Sequence, residues 1–364
     1  MATVRASPSV GGIQTHVHEV APRLAAAGVD VTILTTDPTG TLPPREEQNG
    51  VRVRRLRGWP PGPDFTVAPG LARALHQDAC DLVHVQGCHT LFAPAALLAA
   101  VRTALPFVVS FHSAGHSSRL RGGLRFLQWE FLRPFLLRAR ALIVVSEFER
   151  QHLARRLRLP VDRFTVIPNG AQLPGPVVAP TERRGSDPLI LSVGRLERYK
   201  GHHRAIAAMP ALLERAPSAR LLIVGSGPYE SELRRLVRRL GVTARVQIQA
   251  VPAGDRQQMA ALVAGASLVV LLSEYESQGI GALEAVTLGR PVLVADTSAL
   301  RELRRYEAVR TIPLESDADQ LAAAMLEHLE RRVQRDPPQV PSWDDCAAET
   351  LGMYRSVTRS EGRV

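Results

Sequence analysis

The chain predicts an α/β protein of two domains, each an open, largely parallel sheet with helices on its faces. Three observations carry this expectation. First, a length of 364 residues is enough for two full cores. Second, short β-branched and apolar runs alternate with helix-forming runs, as parallel strands joined by crossover helices require. Third, a stretch rich in Pro, Gly and charge and without periodicity, residues 173–188, divides the chain near its middle. The expected domains are therefore 1–172 and 189–338, with 173–188 as linker. A closing segment, 339–364, is expected to carry a helix that packs back on the N-terminal domain.

In order, residues 2–7 read as a short first strand. The pair Gly11-Gly12 then opens a helical run from Ile13 to Ala27, stopped by Gly28 before the strand Val31–Leu34. Paired glycines let backbone approach a phosphate or sugar closely, or simply make a tight turn. Val51–Leu56 and Asp81–Val85 read as strands, and Leu91–Arg102 as a helix. Phe107–Phe111 is a further strand, and it delivers His112 to its carboxyl end, where open α/β sheets bind ligands. His112 is a candidate ligand contact there, with an ordinary structural histidine as the alternative.

Residues 118–140 combine six arginines with aromatic and leucine side chains. Such a helix either lies against an anionic membrane or is a core helix with a charged outer face; Pro134 is expected to bend or divide it. Ala141–Val145 is a strand, Ser146-x-x-Glu149 a capping box opening a helix, and Phe164–Ile167 the last strand of this half. The second half alternates more cleanly. Strands are expected at Leu189–Val193, Arg220–Val224, Val246–Gln249, Ala266–Leu272 and Val292–Val294, with helices between them and a helix over about Asp317–Arg331.

Composition limits the function. No apolar run reaches membrane-span length, and no basic region leads into an apolar signal core. Cys80, Cys88 and Cys346 are too few and too scattered for a disulfide scaffold or a zinc site, so a reduced, cytoplasmic setting is expected. The net charge of +10 is uneven: residues 1–172 hold 20 arginines and 12 acids, the remainder 25 basic and 23 acidic residues. A basic first half suits an anionic partner, or merely reflects arginine-rich composition. Lys200 is the only lysine.

The most informative stretch is Ser273–Ala285. A buried strand leads into a polar loop with Glu276, then into a helix start at Gly279 and Ile280, with Glu284 eight positions after Glu276. Two acids flanking a helix N-terminus, which attracts anions, suit a polyhydroxylated ligand carrying phosphate. Arg195 and Lys200 follow another strand of the same domain and can neutralise a diphosphate leaving group without a metal.

Gly194-Arg195-x4-Lys200-Gly201 together with Glu276-x7-Glu284 resembles the signature of the retaining GT-B glycosyltransferases of family 4. The resemblance extends through Gly11-Gly12, the His112 loop, Ile167–Gly170, Val224–Gly227 and Leu283–Pro291, so it covers nearly the whole chain. It implies two Rossmann-like domains facing a cleft, a nucleotide-sugar donor held by the second domain, a hydroxyl acceptor held by the first, and transfer with retention at the anomeric carbon. By that resemblance Arg195 and Lys200 hold the diphosphate, Glu284 the ribose hydroxyls and Glu276 a donor-sugar hydroxyl. Ser277 and the backbone of Gln278, Gly279 and Ile280 contact sugar and phosphate. Gly12 approaches the phosphate, His112 the sugar, and the loop at Val251 the base.

No metal and no cofactor beyond the donor is implied, and no Asp-x-Asp motif is present. Partners are the donor, the acceptor and, through 118–140, the inner face of an anionic membrane, with no nucleic acid. Ser277 and Gln278 stand where the family commonly has a glycine and an aromatic, so the sugar pocket departs from the pattern. Two other readings remain: a nucleotide-sugar 2-epimerase, which needs further cleft carboxylates, and a non-catalytic sugar-nucleotide-binding module.

Overall fold

The computed structural model describes all residues except 7–10, 38, 60–65, 79, 89, 113–118, 174–186, 253, 331–338 and 360–364, and it describes the backbone alone at 119–127 and 330. The expected linker thus falls largely outside the described residues, as does the loop after His112. Two compact units emerge, one holding the described residues of 1–170 and 341–359, the other those of 171–340.

The first unit contains β1 (Thr32–Asp37), β2 (Arg45–Gln48), β3 (Val51–Arg57), β4 (Val83–Gln86), β5 (Phe107–Ser110), β6 (Ala141–Val144) and β7 (Phe164–Val166). They form the orders β2-β3-β1 and β4-β5-β6-β7, all neighbours parallel except the β2–β3 pair. The chain start joins the two groups. Ala2 bridges Leu34 of β1 and Val85 of β4, and its N–H donates to the His84 carbonyl at 2.7 Å. The expected first strand is therefore a short bridging segment rather than a regular strand. Strand β2 was not expected: Arg-Glu-Glu-Gln has no apolar alternation, because an exposed edge strand is charged to discourage further pairing.

The helix Arg119–Arg138 continues through Pro134, so the proline does not divide it. Leu132 and Leu136, on either side of the proline, are fully buried and tie both halves to one core, so packing overrides the lost backbone hydrogen bond. Prolines also lie inside Gly12–Ala26 and His202–Arg215. The closing helix Trp343–Arg359 belongs to this unit and packs on Gly12–Ala26, with Trp343 and Cys346 buried beside Val17, Ala21 and Leu24.

The second unit carries β8 (Leu189–Val193), β9 (Arg220–Val224), β10 (Val246–Gln249), β11 (Leu268–Leu271), β12 (Val292–Ala295) and β13 (Val309–Ile312). They form one parallel sheet in the order β10-β9-β8-β11-β12-β13. One face packs on His202–Arg215 and Ala318–Glu330 through Ile206, Met209 and Met325; the other packs on Ile280–Thr287 through Leu283 and Val286. Strand β8 lies mid-sheet beside β11, which places the loops after both strands together at the carboxyl edge. No helix among the described residues is long and apolar enough to cross a membrane.

Candidate active site

The loop after β8 turns at Arg198–Lys200 and enters the helix His202–Arg215 through Gly201. Gly201 adopts φ 75°, and a Cβ there would sit 2.0 Å from the Leu272 carbonyl oxygen, so the position demands glycine. That close approach brings the β8 and β11 loops into register. Across it, Lys200 Nζ donates to Glu276 Oε1 at 2.6 Å, and Ser273 Oγ donates to the same oxygen at 2.8 Å. Both charged side chains are largely buried, at 17% and 15% exposure. Burial opposes the lysine's charge, but Glu276 and Tyr199 outweigh it and raise the ammonium pKa above its usual value. Lys200 therefore stays a cation through the physiological range.

Arg195 points to the same loop but has different partners. Its guanidinium pairs with Glu197 at 2.8 Å and donates to the Tyr199 hydroxyl at 2.9 Å. Burial works against its charge, and Tyr199 and Glu197 again prevail. About half of the Arg195 side chain remains exposed, so it can reach a ligand. Beneath it, His202 fixes the loop from inside, with Nδ1 2.8 Å from Ser192 Oγ and Nε2 3.2 Å from the Arg195 carbonyl. Burial lowers its pKa to about 4, so it is neutral.

After Glu276 the chain passes through Ser277 and the buried Gln278 to Gly279, which caps the helix Ile280–Thr287 at φ 83°. A Cβ on Gly279 would meet Leu300 at 2.7 Å. The first helical bonds run from the Ala282 and Leu283 N–H groups to the Gly279 carbonyl, so the N–H groups of Ile280 and Gly281 are the ones this helix start can offer to an anion. Glu284, one turn into the helix, is buried and meets Arg256 at 3.3 Å; Arg256 also donates to the Gln172 carbonyl at 2.7 Å. Val251, half-buried, follows β10 and packs on the same core as Leu283. The second unit thus brings Lys200 and Glu276 into contact and places Arg195, Gly279, Ile280 and Glu284 on the loops and helix at the carboxyl edge of its sheet.

Gly12 and His112 lie in the first unit. Gly12 is the exposed first residue of its helix, with nothing within 4 Å of a Cβ built on it. His112 follows β5, with Nε2 2.9 Å from Gln86 Oε1 and its ring 4.8 Å from that of His16. His16 in turn lies 2.7 Å from Asn169 Oδ1, and burial lowers its pKa to about 4. His84, between Ser110 Oγ at 2.7 Å and the Tyr354 hydroxyl at 2.6 Å, ties the closing helix to β4 and β5. Sequence reasoning missed Gln86, His16, Tyr199, Arg256, Ser273 and Ser298. Position was the available signal: Gln86 ends β4, and Tyr199, Ser273 and Ser298 lie on the loops that follow β8, β11 and β12. Among the described residues no group of three or more His, Cys, Asp or Glu side chains is arranged to hold a metal ion.

Comparison with known proteins gives the family and the fold. Residues 10–173 match the family described as Glycosyltransferase Family 4, and residues 178–338 match Glycosyl transferases group 1. The chain is 30% identical to a glycogen synthase of Mycobacterium tuberculosis, over 97% of this chain and 92% of that protein. Among solved structures, sucrose-phosphate synthase from Thermosynechococcus elongatus superposes with a TM-score of 0.73 at 22% identity, covering 100% of this chain and 96% of that one. The Anabaena protein HepE in complex with UDP and glucose gives 0.69 at 20% identity, covering 100% and 99%. Two α/β units with parallel sheets and these neighbours make the fold GT-B, and the chain belongs to the family 4, group 1 glycosyltransferases.

Proposed function

We propose that the enzyme moves a sugar from a nucleotide-diphosphate-sugar to an acceptor hydroxyl, with retention and without a metal, in the synthesis of a glycolipid, a polysaccharide or a glycosylated metabolite. The observation that carries this reading is the buried contact of Lys200 with Glu276 beside the start of Ile280–Thr287. In this reading Lys200 and Arg195 neutralise the charge that develops on the departing diphosphate. Glu276, whose Oε1 is already held by Lys200 and Ser273, offers Oε2 to a donor-sugar hydroxyl. Ser277 and the N–H groups after Gln278 face sugar and phosphate, Glu284 the ribose, and the loop at Val251 the base. The reading also gives the phosphate a contact to Gly12 and the sugar a contact to His112, both residues of the first unit. The bond between anomeric carbon and phosphate oxygen breaks, the acceptor oxygen bonds to that carbon on the same face, and the leaving phosphate takes the acceptor's proton. A nucleotide donor is supported by the fold neighbour solved with UDP and glucose.

The basic helix suits a peripheral contact with an anionic membrane. On Arg119–Arg138, Phe131 and Leu137 are 59% and 46% exposed, with Arg138 and Arg140 exposed beside them.

Thermal shift with UDP, GDP, ADP, TDP and their sugars, in EDTA, tests the donor reading. A ligand at 100 times its Kd adds about 2.7 kcal/mol to the folded state. At least one nucleotide is expected to raise Tm; a flat response to all of them overturns the proposal.

A further inference from the structure

We infer that Ser298 is a positioning residue for Glu276, a role that rests on the reading of Glu276 as the donor-sugar contact. Ser298 follows β12 and sits at φ 43°, in the left-handed region that favours glycine. A glycine would take this conformation freely, and an alanine would bear its strain for nothing in return. What serine adds is a hydroxyl: Ser298 Oγ accepts the Glu276 N–H at 2.8 Å.

The bond belongs to a small cradle. Thr297 Oγ1 donates to the Ser273 carbonyl at 2.8 Å, and the Ala299 N–H donates to the Glu276 carbonyl at 3.3 Å. Three successive residues after β12 therefore grip both ends of the turn 273–276. On the other side of that turn, Lys200 and Ser273 hold the Glu276 carboxylate by Oε1. Clamping the backbone at Ser298 and one carboxylate oxygen at Lys200 leaves Oε2 in a fixed direction, which is what a residue that must meet one sugar hydroxyl requires. The left-handed strain at Ser298 is held by this contact at a functional loop.

The test uses Ser298→Gly, Ser298→Ala and Glu276→Ala in the full chain, with the most rapidly hydrolysed of UDP-, GDP-, ADP- and TDP-glucose and their mannose counterparts. Ser298→Gly relieves the backbone strain and removes the hydroxyl. It is expected to keep the wild-type Tm, bind the free nucleoside diphosphate within about twofold of wild type, and lose at least about tenfold in kcat. Hydrogen exchange in the segment 273–279 is expected to accelerate. Ser298→Ala is expected to lose the same kcat with a lower Tm. A purely structural role predicts the reverse, with Ser298→Gly at wild-type kcat and exchange, and that result overturns the inference. If Glu276→Ala turns over like wild type, or wild type hydrolyses none of the donors, the reading of Glu276 itself falls and this role with it. An inactive Glu276→Ala beside an active Ser298→Gly removes the role of Ser298 alone.

Discussion

Lys200, the chain's only lysine, meets Glu276 at 2.6 Å across 76 positions of sequence, in a setting where both side chains are mostly shielded from water. A compact ammonium on a flexible stem reaches one carboxylate oxygen in a way that a planar guanidinium cannot reproduce. The pair is therefore expected to couple strongly in stability as well as in activity. Removing one partner leaves a shielded charge alone, which costs about 3–5 kcal/mol, whereas removing both costs less. In a double-mutant cycle of Lys200→Met and Glu276→Gln followed by urea unfolding, the coupling should exceed about 1 kcal/mol. Additive losses would mean that the contact contributes nothing.

Acid should weaken the fold through its buried histidines. Burial lowers both His16 and His202 from 6.5 to about 4. Each binds its proton less tightly folded than unfolded, so its stabilising contribution is complete above about pH 6.5 and falls as pH drops towards 4. The loss is about 1.4 kcal/mol per pH unit for each histidine. His16→Gln removes one of these titrations. Its unfolding free energy, followed by denaturant melts from pH 7 to 4, should fall less steeply than wild type by about that amount. An unchanged slope would show that His16 does not titrate on unfolding.

Gly201 should tolerate no side chain. At φ 75°, with the Leu272 carbonyl oxygen 2.0 Å from a Cβ, Gly201→Ala must displace backbone between the β8 and β11 loops. A loss of about 2 kcal/mol or more is expected in chemical denaturation. Turnover should fall with it, because the same approach sets Lys200 against Glu276.

The exposed surface around Phe131, Leu137, Arg138 and Arg140 should bring the chain down with vesicles of phosphatidylglycerol and phosphatidylcholine at low salt. Binding should weaken as salt shortens the screening length to about 10 Å at 0.1 M. Phe131→Ser with Arg138→Glu should abolish it. Absence of sedimentation at any salt would leave this region as ordinary solvated surface.

Much of the fold was legible because buried parallel strands write themselves as β-branched runs. Val83–Gln86, Phe107–Ser110 and Leu268–Leu271 are buried along their whole length. Strand β2, exposed and charged, gave no such signal, and the unbroken helix at Pro134 depended on Leu132 and Leu136 meeting a distant core. The candidate site residues stood out as motifs, since Arg195, Lys200, Glu276 and Glu284 are chemically conspicuous. Their partners were not. Tyr199, Arg256, Ser273 and Ser298 are ordinary residue types whose roles arise from loops brought together by the sheet order, with Ser298 reaching Glu276 from 22 positions away.

The most direct measurement of the central claim is donor turnover by wild type, Lys200→Ala and Glu276→Ala on the same panel of sugar nucleotides in EDTA. Wild type should release free sugar from at least one donor, faster when an acceptor hydroxyl is supplied. Each variant should be slower by at least about a hundredfold while remaining folded, through lost charge stabilisation and positioning. Near-wild-type rates in both variants, or activity that vanishes in EDTA and returns with magnesium, would contradict it.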